Sequence, residues 1–216
     1  MASGTRSRPA SGGPGLERTI TLTDAVVAIA MTLLVLPLVE VAGEFDVAHL
    51  STFLDENGDL LLSFVISFLV ISAFWSFHGS AYRRATEADV EPRALRALNV
   101  WWLLLVAFLP FPTAVVGREL NTVTGPFYLG TMTLLSAITS AIVTVVGRAT
   151  GDTRHIPWAW LVTAVFALGT GVGLVAPSVG TLVLLLIAVV RVLETRVLAA
   201  REPRPASAPD RSGPVE

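Results

Sequence analysis

The stretch Arg18–Leu38, RTITLTDAVVAIAMTLLVLPL, decides the fold of this chain. Its uncharged part, Ala25–Val39, is strongly apolar but covers only 15 residues. A helix needs about 20 residues to cross a hydrocarbon layer that is roughly 30 Å thick. We therefore predict a membrane-spanning helix over about residues 19–42, which takes Asp24 and Glu40 into its two ends.

Long uncharged stretches further along the chain predict more helices of the same kind. Leu60–Tyr82, Ala97–Gly117 and Leu120–Gly147 each have room for one span. Ile156–Val190 has room for two, with a tight turn near Pro177 between them. We therefore predict an all-α integral membrane protein with six transmembrane helices per subunit, over about residues 19–42, 60–82, 96–117, 124–147, 156–175 and 177–199.

The composition excludes several classes of protein. The chain is 53% hydrophobic and 15% charged, with a mean hydropathy of +0.68, which argues against a water-soluble domain. The net charge of -2 is too small for a nucleic-acid-binding surface. The sequence has no cysteine, its three histidines lack the spacing of metal ligands, and it contains no H-E-x-x-H or G-x-S-x-G motif. We therefore expect no enzyme activity, no resident metal and no cofactor.

The ends of the chain and the arginines indicate the topology. Residues 1–17 and 201–216 are rich in Gly, Ser, Pro and Arg and are predicted to be disordered tails, which leaves 18–200 as the six-helix domain. With both termini in the cytoplasm, fourteen of the fifteen arginines lie on the cytoplasmic side and Arg118 alone lies outside, as the positive-inside rule requires. The sequence thus predicts a multi-pass protein of the cell membrane with both termini cytoplasmic. The first outer loop is acidic, which favours cations at that end.

Polar side chains from the first three predicted helices lie at one depth near the cytoplasmic end. An ionisable group at membrane depth costs roughly 2.5 to 3.5 kcal/mol on insertion scales unless it has a partner, so Asp24 should have one. Arg18, His78 and Asn99 are the candidates. Trp75, Trp101 and Trp102 are interpreted as aromatic-belt residues. These residues could form a clamp between helices, or a proton relay or ion site.

The first helix presents two different faces. At about 100° per residue, several small, apolar or hydroxyl-bearing side chains fall between about 80° and 180° from Asp24, namely Ala25, Ile29, Thr32, Leu33 and Leu36. If four or more copies of this face surrounded an axis, they would form apolar rings with a threonine ring between them, as in a gate that works by dewetting. For a membrane helix taken by itself, packing is the preferred interpretation of this face.

Several of these residues also carry a family resemblance. The run from Arg18 through Leu22-Thr23-Asp24 into the apolar stretch is similar to the first helix of the bacterial transmembrane protein 175 family, relatives of the lysosomal potassium channel. Further similarities are Phe74-Trp75-Ser76-Phe77-His78, Asn99 and Leu109-Pro110-Phe111-Pro112-Thr113, so the resemblance covers residues 18–113. The chain departs from the family pattern at Leu22, where the family has Phe, and at Thr23, where it has Ser.

The resemblance implies a weakly selective, potassium-permeable cation channel in which helix one lines the central pore of a tetramer. It implies that Ile29 forms the main hydrophobic constriction, with Leu33 and Leu36 as further apolar layers and Thr32 as the polar ring related to potassium preference. It also implies a network that clamps the pore helix, formed by Arg18, Thr23, Asp24, Trp75, His78 and Asn99. Because the signature occurs once per chain, four chains would form the homotetramer in the lipid bilayer, with potassium, and also sodium or protons, as permeant ions.

A second class of function competes with the channel. Asp24 and His78 could act as relay groups of a proton-conducting protein or a proton-coupled carrier. The paired broken helices of inverted-repeat transporters are not evident in the sequence, which favours the channel.

Overall fold

The computed structural model describes residues 14–43, 50–90 and 92–176, and this part of the chain is helical throughout apart from short connections. Its helices, numbered in chain order, are α1 (Pro14–Leu33), α2 (Leu36–Ala42), α3 (Leu50–Glu87), α4 (Arg93–Phe108), α5 (Pro110–Arg118), α6 (Thr124–Thr150) and α7 (Ile156–Gly173).

These helices supply five segments that are long and apolar enough to cross a membrane. Two of the five are broken helices, because α1 with α2 and α4 with α5 each make up one crossing. The chain is therefore a multi-pass membrane protein, and each of the first five predicted spans corresponds to one of these segments. The predicted sixth helix, 177–199, and the predicted tail 201–216 lie outside the described residues.

The first crossing begins earlier than its hydropathy indicated. α1 starts at Pro14, inside the segment predicted as a disordered tail, and its residue Leu16 is buried. The hydroxyls of the first polar turns are satisfied locally, since Thr19 and Thr23 donate to backbone carbonyls four residues earlier. Hydropathy detects only the part of a helix that lies in the bilayer, so it misses polar turns that continue the helix into water. For the same reason α3 extends well beyond the predicted 60–82 at both ends.

Prolines account for the two breaks. α1 ends at Leu33 and α2 begins at Leu36, with Pro37 in its first turn. α4 ends at Phe108, and Pro110 opens α5. A proline has no N–H to donate, and its ring clashes with the carbonyl four residues earlier, so a helix bends or breaks just before it. The continuous helices predicted over 19–42 and 96–117 are therefore each divided in two.

Helix α6 forms the centre of the subunit. It contacts α3, α4, α5 and α7, and about half of its residues are buried. Hydroxyl groups join it to α7, where Thr163 Oγ1 lies 2.9 Å from both Ser136 Oγ and Ser140 Oγ, and Thr133 and Thr170 pair at 3.0 Å. Small hydroxyl residues let membrane helices approach closely and hydrogen-bond across their interface. This interface therefore fixes the α6–α7 pair.

The turn between α6 and α7 has its own local chemistry. Gly151 adopts a left-handed conformation with φ of 79°, which a residue without Cβ accepts easily, and it ends α6. The side chain of Arg154 hydrogen-bonds Asp152 and lowers the pKa of that carboxyl to about 2. Asp152 therefore stays charged at neutral pH and keeps this turn polar.

A second contact of small residues fixes α5 against α3. Thr113 Oγ1 lies 2.9 Å from Ser67 Oγ, which in turn lies 3.0 Å from the hydroxyl of Tyr128 on α6. One helical turn further on, a Cβ added to Gly117 would overlap Ser63 Oγ and lie 3.0 Å from Leu60 Cδ1. The two helices can approach this closely only because Gly117 has no side chain.

We expect Gly117→Leu to separate α5 from α3 and to destabilise the fold by about 1 to 3 kcal/mol, the usual cost of overpacking. Gly58→Ala on α3 is the matched control, because a Cβ there meets nothing within 4 Å. The measurement is thermal unfolding of the detergent-solubilised protein, followed by loss of the monodisperse peak in size-exclusion chromatography. Equal melting temperatures for the two variants would contradict the close contact.

Candidate functional site: the α1 face and the polar cluster behind it

Helix α1 has one buried and one exposed stripe. The buried stripe holds α1 against the rest of the subunit and consists of Leu16, Thr23, Val27, Ala30 and Leu34. The exposed stripe comprises the four residues predicted for the pore, Ile29, Thr32, Leu33 and Leu36, of which Ile29 is 60% exposed. The structure therefore brings these four residues to one side of the subunit, pointing away from its core. Leu36 lies beyond the break, on α2, and not on the same helix as the other three.

The hydroxyl of Thr32 has a defined orientation. Its Oγ1 donates to the backbone carbonyl of Ile29 at 2.7 Å. Because the proton is used inside the helix, the lone pairs of the oxygen remain available on the exposed side. A lone pair directed outward suits an oxygen that accepts from water or contacts a cation.

Behind α1, three buried polar side chains form a chain of hydrogen bonds across three helices. This inner cluster consists of Thr23 on α1, His78 on α3 and Asn99 on α4, each at most 3% exposed. His78 Nε2 lies 2.7 Å from Asn99 Oδ1, and Asn99 Nδ2 lies 3.3 Å from Thr23 Oγ1. Since an amide oxygen only accepts, Nε2 of the histidine carries the proton. The inner cluster thus joins the first half of α1 to the two helices beside it.

Aromatic rings enclose the histidine of the inner cluster. The His78 ring lies 4.3 Å, centroid to centroid, from both Tyr82 and Trp102. Trp102 is fully buried, and its Nε1 donates to Thr139 Oγ1 on α6 at 3.0 Å. The interpretation of Trp102 as an aromatic-belt residue is therefore wrong, because its ring packs in the core. Its neighbour Trp101 is 60% exposed, as a belt residue should be.

Asp24 hydrogen-bonds Trp75, a member of the network that the resemblance implies, and within the described residues it makes no hydrogen bond to Arg18, His78 or Asn99. Trp75 Nε1 donates to Asp24 Oδ1 at 2.7 Å, and both side chains are exposed on the subunit. Trp75 therefore serves as a hydrogen-bond donor and not only as a belt residue. Successive residues on a helix point about 100° apart, so Asp24 cannot share the direction in which Thr23 reaches Asn99.

Five of the six residues predicted as one network thus form two separate groups. One is the inner cluster, and the other is the pair of Asp24 and Trp75. Within the described residues, Arg18 is exposed and makes no hydrogen bond to the other five. Sequence reasoning missed Tyr82 and Thr139, and it had no signal for them because their contacts depend on how α3, α4 and α6 pack.

At the far end of the first crossing, the structure contains an ion pair that the sequence did not predict. Arg118 Nη2, at the end of α5, lies 2.7 Å from Glu40 Oε2 on α2. The sequence put both residues at the outer end but gave no reason to pair them, because they are 78 positions apart.

Three comparisons relate this chain to known proteins. Residues 18–110 match the family model described as endosomal/lysosomal potassium channel TMEM175. A protein from Streptomyces collinus named as a potassium channel is 34% identical over 104 residues, which cover 48% of this chain and 48% of that protein. The match therefore spans about half the length of that relative. The crystal structure of a lysosomal potassium-selective channel TMEM175 homolog from Chamaesiphon minutus superposes with a TM-score of 0.70 at 20% identity and covers 85% of this chain and 98% of that one, which shows a shared fold.

Proposed function

We propose that this chain is a TMEM175-type channel, a potassium-permeable and weakly selective cation channel; the family match over residues 18–110 supports this proposal. The observation that carries the proposal is the exposed stripe of α1 and α2. Ile29 is 60% exposed while the opposite side of α1 is buried. Lipid accepts an exposed apolar face, but this one also carries the exposed hydroxyl of Thr32, and together with the family match over residues 18–110 it supports partner copies around an axis.

The proposed channel is a homotetramer in which four α1 helices line a central pore. Four Ile29 side chains would form the main constriction, and the layers at Leu33 and Leu36 would extend it. An ion crossing these layers gives up hydration without receiving oxygen ligands, which makes them a barrier. The Thr32 ring would offer oxygen lone pairs between the apolar layers, since its proton is bonded to the Ile29 carbonyl. Potassium preference is proposed to arise there.

The proposed role of the inner cluster is to hold the pore helix at a fixed angle. Thr23, which packs beside Val27 and Ala30 on the buried stripe, is tied through Asn99 to His78. A pore helix that rotates by one residue presents a different face to the axis, so this bond affects which residues line the pore. The pair of Asp24 and Trp75 is proposed to hold α1 to α3 in the same way at the edge of the subunit.

Proton conduction through Asp24 and His78 is the second candidate. In the described part of the chain, these two side chains do not hydrogen-bond each other, since Asp24 bonds Trp75 and His78 bonds Asn99. A relay between them would need intervening water. The observed geometry therefore favours the channel.

Liposome flux separates the two functions. We expect purified protein in potassium-loaded liposomes to release potassium down its gradient, with a smaller sodium flux and no requirement for a proton gradient. Potassium movement that occurs only with an opposing or accompanying proton flux would support the carrier. Empty liposomes and liposomes with heat-denatured protein are the controls.

We expect both termini to lie in the cytoplasm and the assembly to be a tetramer. The native chain has no cysteine, so single cysteines at Ser11 and Ser207 can be labelled selectively. In intact cells they should react with a membrane-impermeant maleimide only after permeabilisation.

Native mass spectrometry in mild detergent should give the mass of four chains. A stable monomer or dimer would contradict the tetramer. Labelling of the cysteines from outside intact cells would contradict the cytoplasmic termini.

A further inference from the structure

Helix α2 is weakly attached to its own subunit. None of its seven residues is buried, and it follows the break at Leu34–Val35. Its side chains Leu36 and Val39 are 49% and 58% exposed. By contrast, α1 is held by its buried stripe, so the two halves of this crossing differ in how firmly they are fixed. A segment with few buried apolar contacts opens at low free energy.

Helix α5 is firmly attached and lies next to α2. Its residues Pro112, Thr113 and Gly117 are buried. Thr113 bonds Ser67, and Gly117 packs directly on α3. Helix α5 therefore offers a fixed point at this end of the subunit.

One ion pair joins the loose segment to the fixed one. Within the described residues, Glu40 is the side chain of α2 that hydrogen-bonds another helix, and its partner is Arg118 at 2.7 Å. Arg118 closes α5, where a cation is favoured by the helix dipole, whereas Glu40 lies near the end of α2, where a carboxylate is disfavoured without a cation. Both side chains are about two-thirds exposed, so the pair adds little to global stability. Helix α2 also contacts α3, but none of its residues is buried, so the pair is one of the few contacts that hold α2.

We propose that Arg118 is a positioning residue that tethers α2 to α5 through Glu40 and so keeps the outer half of the pore helix open. This inference rests on the proposed channel function. Without the pair, α2 would pivot at Val35, just after the buried Leu34, and its exposed Leu36 and Val39 side chains would narrow the outer half of the pore further in the four copies. Ile29 and Thr32 would stay in place, because the buried stripe of α1 holds them.

Hydrogen–deuterium exchange tests the tether without any ion flux. In the purified full chain, Arg118→Gln and Glu40→Gln should each speed exchange of the amides of residues 36–42 by about two- to fivefold, the range expected for an exposed ion pair. The reversed pair, Glu40→Arg with Arg118→Glu, should restore protection. Arg148→Gln, which removes an exposed arginine in the last turn of α6, is the matched control and should leave 36–42 unchanged. Unchanged exchange in both single variants would overturn the proposal, whether or not the protein conducts.

Flux then separates a tether from a simple charge effect. If the pair acts as a tether, both single variants lower potassium flux by about two- to fivefold, the reversed pair restores it, and the potassium-to-sodium ratio stays constant. If the charges act only on the ions, Arg118→Gln raises cation flux and Glu40→Gln lowers it, because the two variants change the net charge of the mouth in opposite directions. That opposite response would overturn the proposal. If the parent protein conducts no potassium, the proposed channel function is refuted. The tether between α2 and α5 is then still tested by hydrogen–deuterium exchange, which does not depend on ion flux.

Discussion

Ile29→Asn is expected to raise potassium flux more than tenfold and to weaken discrimination against sodium. In the proposed tetramer, four Ile29 side chains exclude water from one layer of the pore, and an ion there has neither hydration nor oxygen ligands. An asparagine at this position brings four amide groups and the water that they bind. Lowering the barrier by about 1.4 kcal/mol is enough for a tenfold rise in rate. The measurement is potassium and sodium efflux from liposomes that hold equal amounts of tetrameric protein.

Two further variants make this result specific to the pore. Leu69→Asn on α3 is the matched control, because Leu69 is 62% exposed, close to the 60% of Ile29, but lies on another helix. It should give no gain of flux. Thr32→Ala leaves the constriction intact and removes a hydroxyl ring, so it should mainly lower the potassium-to-sodium ratio. If folded, tetrameric Ile29→Asn conducts no more than the parent protein, α1 does not gate a pore at this residue.

Asn99→Leu should cause the largest loss of stability among variants of the polar residues, by about 1 to 3 kcal/mol for each buried group left without a partner. The substitution keeps the approximate volume but removes the acceptor of His78 and the donor to Thr23. Both of these side chains are buried; Thr23 keeps its hydrogen bond to the Thr19 carbonyl, whereas the N–H of His78 Nε2 is left without an acceptor. Assembly yield and thermal unfolding in detergent are the measurements.

The pair of Asp24 and Trp75 provides the comparison for that prediction. Asp24→Ala removes an interaction between exposed side chains, so it should reduce assembly less than Asn99→Leu does and should leave ion selectivity unchanged. The double variant His78→Phe with Asn99→Leu should recover part of the stability, because replacing both partners by apolar groups leaves fewer unpaired donors. A larger loss of assembly from Asp24→Ala than from Asn99→Leu would contradict this ranking, whereas normal assembly with a loss of proton coupling would favour the relay.

The sequence by itself determined the five crossings within the described residues and the composition of the α1 face. Hydropathy located the crossings because the cost of putting a backbone or a charge into hydrocarbon is summed over about 20 neighbouring residues, which makes it a local property. The period of 3.6 residues likewise put Ile29, Thr32 and Leu33 on one side, away from Asp24, and the structure exposes that side. Hydropathy could not give the helix ends, since the polar turns of α1 and α3 continue outside the apolar windows.

Only the tertiary structure decided which polar side chains meet. Thr23 pairs with Asn99 across 76 positions and Asp24 with Trp75 across 51, while Asp24 makes no hydrogen bond to Arg18, His78 or Asn99 within the described residues. Such pairings depend on how far each helix is rotated and shifted along its axis. Those two quantities are set by close approaches, such as Gly117 against Ser63, and by the proline breaks before α2 and α5. A periodic pattern gives the direction of a side chain relative to its own helix, but the helix it faces depends on the packing of the whole bundle.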